Sequence, residues 1–198
     1  PCLSPVDSGP TAPSSSRCWR RSAFHGRAGQ TAHEARQPRR RQRPPLVWEE
    51  CDRSVTAEAV KVLGSGEDLD ACFLHLGAVD ETAHVLDCGP EYRRVIETAD
   101  RRLGRLLAAV RERPDASAEA WTIIIVTDHG HREEGGHGGG SAPERTAWIA
   151  ASGPGITPAS TPHSLRHADV AAHAYAALGI TPDPHWTLDG GPSPPPRR

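Results

Sequence analysis

The order of segments predicts an α/β domain built on a mostly parallel sheet. Three observations carry that expectation. Apolar runs of strand length, Ala71 to Leu76 and Trp121 to Val126, alternate with helical patterns, and polar clusters rich in Asp and His follow each run. The 44 positions from His84 to Asp128 leave room for the crossover helix that two parallel neighbours need. In open sheets of this class, ligands sit beyond the carboxyl ends of the strands, where both clusters fall.

Taken in order, the elements begin near Leu46. Over Ser54–Gly66, apolar residues at mixed helical spacing run into a Gly-Ser-Gly stop, so a short helix is expected. Ala71 to Leu76 is apolar apart from His75, as for a strand covered on both faces. Tyr92, Val95, Ile96, Ala99, Leu103, Leu106, Leu107 and Val110 recur at threes and fours before Pro114, which predicts the longest helix. Trp121 to Val126 is rich in β-branched residues and reads as a second buried strand. Thr146 to Ala151 reads as a third strand, and Ala168 to Ile180 as a closing helix.

Residues 1–45 lack either periodicity. Their scattered Pro, Ser, Arg and Gly cannot bury enough apolar surface to offset chain entropy, so a disordered arm is expected there, followed by a domain over 46–192 and a Pro/Arg tail over 193–198. The whole chain of 198 residues is only 36% hydrophobic, with 19 Pro and 19 Gly. No methionine occurs, and Pro1 is read as a processed or artificial start or an incomplete gene model. A net charge of -2 argues against a nucleic-acid footprint. The local basic run Arg39–Arg43 keeps a polyanion-binding arm as an alternative of a different class. Five cysteines without a C-x-x-C pair support neither a disulfide framework nor a thiolate zinc knuckle, and Cys72 reads as a small core residue. No apolar segment has the length of a membrane span. Cellular location is not legible.

The chemistry gathers in two places. Asp80 and His84, in VDETAH, share a face if the segment is helical, and a carboxylate with an imidazole suits zinc, manganese or a similar divalent ion. Asp128 and His129 can serve one site only if the chain turns at once, which Gly130 permits. His137 lies in GGHGGG, where glycines let the backbone approach a ligand. Together these five residues begin two metal sites without completing both.

At this point the residues resemble the alkaline phosphatase superfamily, most closely its type I phosphodiesterase/nucleotide pyrophosphatase branch. VDETAH matches the Asp-x3-His metal pair, IIIVTDHGH the strand-borne Asp-His pair and GGHGG the later histidine. DVAAHAYAALGI with HWTLDGGP is similar to the last helix and closing strand, so the likeness runs over Leu69 to Pro192. The resemblance implies an alkaline-phosphatase-like domain, one ion at Asp80, His84 and His137, and a second at Asp128 and His129. It further implies that His131 and Glu133 or Glu134 orient substrate or hold a ligand histidine, and that the substrate is a small phosphate ester or nucleotide-like molecule.

The family's N-terminal strand with its metal-binding aspartate, and its helix-borne Ser or Thr nucleophile, find no match here. The N-terminal half of the domain is therefore expected to be missing, one metal site incomplete and the exposed sheet edge prone to self-association. The alternatives are an inactive fragment binding one ion or none, and a sulfatase- or phosphomutase-like enzyme on the same metal geometry. Sulfatases also need a Cys or Ser within Cys/Ser-x-Pro-x-Arg that matures to formylglycine, and that option ranks below the hydrolase.

Overall fold

The computed structural model describes residues 44–156 and 165–191 together with the backbone of 3–5 and 16–21. The chain divides into two compact units, residues 1–114 with 131–136, and residues 115–130 with 137–198.

In the first unit three helices pack on one another and share a small core. Helix α1 covers Pro45–Gly64, α2 Ala78–Leu86 and α3 Pro90–Arg111. The α1 helix begins nine residues before the expected one. Pro45 starts it because its fixed φ suits the first turn, where no donor is needed. Its buried stripe is Asp52, Val55, Thr56, Ala59 and Leu63, a proper helical spacing that contains two polar residues. Facing it are Ala78 and Ala83 of α2 and Val95 and Ala109 of α3. Arg102, seven residues after Val95, is buried in the same stripe of α3.

Polar contacts align these helices. Glu49 of α1 and Arg94 of α3 form a two-pronged pair, at 2.5 and 3.2 Å, which raises the guanidinium pKa. At the other end of α1 the buried Arg113 donates to the carbonyl of Leu63 (2.5 Å), an acceptor that the helix leaves open, and to that of Glu67 (2.8 Å) in the segment beyond it.

A three-stranded sheet accompanies them, in the order β1 (Leu3–Pro5), β2 (Ser16–Arg21), β3 (Ala71–Leu74). Both pairings are antiparallel, with Leu3 opposite Arg21 and Ser16 opposite Leu74. Within residues 1–45, β2 finds a ladder partner in β3. One expectation changes here, since β3 is not covered on both faces, with Phe73 62% exposed.

In the second unit β4 (Ile123–Val126) pairs antiparallel with β5 (Ile149–Ser152), Ile123 opposite Ser152. Between them lies α4 (Ala142–Arg145), a single turn. The expected parallel sheet is thus absent among the described residues, although the mixture of helix and strand is that of an α/β domain. Parallel neighbours need a crossover of a dozen or more residues, commonly a helix. The connection from β4 to β5, residues 127–148, holds only the single turn α4 and no longer helix to carry a crossover, and β5 lies alongside β4 in the opposite sense.

Helix α5 (His167–Ala177) closes this unit, followed by a 3-10 turn at Pro184–Trp186. Asp169 accepts from the backbone N–H of Arg166 (2.7 Å) and of Gly191 (3.1 Å), which holds its carboxyl below the usual range and ties the last described residue to the start of α5. No helix of the described residues is long and apolar enough to cross a membrane.

Candidate metal centre

In the first unit the site is built on α2. The helix starts at Gly77 and Ala78, whose N–H groups have no partner within the helix. A buried carboxylate from α1 supplies both acceptors, Asp52 Oδ1 to Gly77 N at 2.9 Å and Oδ2 to Ala78 N at 3.1 Å. Burial pushes the Asp52 carboxyl up, against the two backbone donors and the positive charge of Arg102, whose Nη1 stands 4.0 Å away. With its first turn held this way, α2 presents Asp80 and His84 on one face.

The expected helical pairing is present. His84 Nε2 stands 3.4 Å from Asp80 Oδ1. A third group arrives from a distant part of the chain, with His131 Nε2 2.9 Å from the same Asp80 oxygen. The His131 side chain is only 6% exposed. It is boxed edge-on between the rings of His84 and Tyr92, each with its centroid 5.9 Å away. Burial and the nearby Cys88 and Asp80 raise the Tyr92 pKa.

What brings His131 there is the anchoring of the loop that follows it. Cys88, at the corner between α2 and α3, donates its backbone N–H to the carbonyl of Glu133 (3.1 Å) and its thiol to the carbonyl of Arg132 (3.2 Å). Gly135 has φ +78° and lies so close to α2 that an added Cβ would stand 2.0 Å from the Ala83 carbonyl oxygen. Gly135→Ala is expected to cost at least about 1–3 kcal/mol from backbone conformation alone, with the clash in addition. Thermal denaturation of the variant checks it. An unchanged transition would mean that the loop is not seated on α2.

The ligand atoms of Asp80, His84 and His131 lie within 4.8 Å of one another. Two ligands of a tetrahedral zinc, at bond lengths of about 2.0–2.2 Å, stand about 3.3–3.6 Å apart. The Asp80–His84 spacing fits that value, and the donors are the types zinc and manganese accept. The His131–Asp80 distance is instead that of a hydrogen bond. Sequence placed His131 only as a group that orients substrate or a ligand histidine; its partner proves to be a carboxylate 51 residues away.

The second unit carries the other residues. Thr127 continues β4 by exchanging bonds with Trp148, through its N–H to the Trp148 carbonyl (3.2 Å) and through its Oγ1 from the Trp148 N–H (3.1 Å). The His167 ring nitrogen closes on the Thr127 carbonyl at 2.6 Å. Beyond this support the chain bends at Asp128, and Gly130 passes so close to α4 that a Cβ there would meet the Pro143 carbonyl oxygen at 2.2 Å. Asp128 extends into solvent, with its side chain 86% exposed, and His129 Nε2 lies 3.7 Å from it. The His129 and His137 rings stack at 3.6 Å between centroids. Glu133 and Glu134 are exposed, and the contact shown for Glu133 in the loop is through its backbone carbonyl.

Buried Glu144 fixes the chain beyond His137. It accepts from Gly139 N (2.8 Å), Ser141 N (3.2 Å) and Ser141 Oγ (2.5 Å), a capping box at the start of α4. Ser141 to Arg145 reads Ser-Ala-Pro-Glu-Arg and does have the Ser-x-Pro-x-Arg form. The structure shows its serine hydroxyl bonded to the Glu144 carboxylate.

The family described as type I phosphodiesterase / nucleotide pyrophosphatase matches residues 13–142, well over half the chain. The chain belongs to that family. The match to this phosphodiesterase family starts within the segment expected to be an arm, shortly before β2, and ends before β5 and α5. It includes all five residues expected as ligands, Asp80, His84, Asp128, His129 and His137, and the loop with His131. No curated protein and no solved structure matches this phosphodiesterase-family chain significantly. Family membership suggests a phosphoester hydrolase acting on a small phosphate ester or nucleotide, and the Asp80 cluster is a possible place for a metal ion.

Proposed function

We propose that this chain is a metal-dependent phosphoric ester hydrolase of the two-ion type, with zinc as the preferred ion and manganese accepted. The observation that carries the reading is the 3.4 Å spacing of Asp80 and His84 on a helix whose first turn is fixed from outside. Asp80, His84 and His137 form one ligand set, and Asp128 with His129 begins the other.

Bound divalent ions would supply Lewis-acid stabilisation of the phosphoryl oxygens. The chain's own residues have other tasks. His131 holds the Asp80 carboxylate by a hydrogen bond, and outer partners of this kind set ligand orientation. Glu133 or Glu134, both open to solvent, orients the polar part of a nucleotide-like substrate. Among the described residues no Ser or Thr is assignable as nucleophile, and the second ligand set lacks a further carboxylate. The specific reading is thus strong metal binding with weak or no turnover by this chain alone. The alternative of a remnant with one ion or none differs in stoichiometry.

The test is zinc content after dialysis against trace zinc, measured by elemental analysis, beside hydrolysis of a nitrophenyl phosphate diester. About two ions per chain support the hydrolase, and one or none supports the remnant. His137→Ala is expected to lower the content by about one ion per chain. Unchanged stoichiometry in that variant removes His137 from the ligand set.

A further inference from the structure

The antiparallel register of β2 and β3 sets Cys18 directly opposite Cys72. Opposed residues of an antiparallel pair share one face of the sheet, with Cα atoms about 4.5 or 5.5 Å apart according to their place in the ladder. A disulfide accommodates Cα separations of about 4.4–6.8 Å, so either place satisfies it. The other described cysteines lie elsewhere, Cys51 within α1 and Cys88 at the α2–α3 corner. Separated by 54 positions in the sequence, Cys18 and Cys72 form no recognisable motif, and only the register reveals them.

We propose that Cys18 and Cys72 form a reversible disulfide that ties β2 to the strand leading into α2. The oxidant is a small-molecule disulfide such as oxidised glutathione. One cysteine thiolate attacks it, its S–S bond breaks, and a mixed disulfide forms while one glutathione thiolate leaves. The second cysteine thiolate attacks the protein sulfur of that mixed disulfide and expels the other glutathione. Two protein thiols are oxidised, one glutathione disulfide is reduced to two thiols, and the protons lost by the cysteines are taken up by the departing thiolates. The bond closes a long loop that includes all of α1, so the oxidised chain gains stability chiefly by restricting the unfolded state. Three residues, His75 to Gly77, then separate the tied strand from the helix bearing Asp80 and His84.

The proposal is independent of the metal reading and is tested without it. The folded chain is equilibrated with oxidised and reduced glutathione, quenched by alkylation and mapped by trypsin without reduction. Cleavage after Arg17 and Arg20 isolates Cys18 in a three-residue peptide. Expected are one dominant linked pair, Cys18 with Cys72, and a higher melting temperature for the oxidised chain. Cys18→Ser and Cys72→Ser should each abolish both effects, while the double variant Cys51→Ser, Cys88→Ser should retain the link. Absence of the linked peptide overturns the proposal. So does a mixture of pairings equal to that obtained in urea, because the link would then owe nothing to the register.

Discussion

Replacing Asp52 with alanine is expected to lower folding stability by about 3–5 kcal/mol, the largest effect of any single exchange in the first unit. Asp52 is 2% exposed and is the acceptor for two backbone donors, Gly77 and Ala78. Truncation leaves both N–H groups buried without these acceptors and leaves Arg102 without its carboxylate neighbour. Asp52→Asn should recover part of the loss, since an amide offers one acceptor oxygen where two are used. Denaturant unfolding measures both variants, and a midpoint equal to the parent's for Asp52→Ala would show that the start of α2 needs no outside acceptor.

The same residue gives a pH dependence of definite sign. Burial raises its pKa above the model-compound value of 3.8, so the folded chain holds this proton more tightly than the unfolded chain does. The stability tied to that proton is complete below 3.8 and is lost as pH rises through the folded value. The groups that oppose the shift are the two backbone donors, Arg102 and His75. In Asp52→Asn this titration is absent, so the stability difference between parent and variant should shift in the variant's favour over that pH window.

Asp80→Ala is expected to produce the largest functional effect, the loss of about one bound zinc per chain with the fold retained. Asp80 is 38% exposed, so its removal opens no large cavity, and the helix keeps its fixed first turn. Asp80→Asn separates the two tasks of the side chain. It keeps an acceptor oxygen for His131 but weakens metal binding by removing the charge. Zinc analysis with circular dichroism distinguishes the outcomes, and a folded Asp80→Ala chain with the parent's zinc content would discard the ligand assignment.

What could be read from sequence follows from what periodicity encodes. Helix α3 was legible because its apolar residues recur at threes and fours, and the Asp80–His84 face because a four-residue step is local. The first half of α1 was hidden, because Asp52 occupies the position in its buried stripe where an apolar residue is sought. Strand existence was legible but strand partner was not. Periodicity in β3 and β4 contains nothing about ladder direction, and the antiparallel pairings with β2 and β5 were missed. Likewise no local signal joins His131 to Asp80, and the expectation that it serves a histidine or substrate rests on the family resemblance.

The seating of the loop on α2 also limits chain length. Between Arg132 and Gly136 the backbone is pinned by Cys88 at two carbonyls and by the near-contact of Gly135 with Ala83, while the Arg132 N–H closes on the Gly136 carbonyl at 3.3 Å. An inserted residue there would have to be extruded as a bulge or would break one of those ties and carry His131 off its carboxylate. Gly138 has open space around it. Added length is therefore tolerable at that position and not before it, so the number of residues from His131 to Gly136 is itself part of the site.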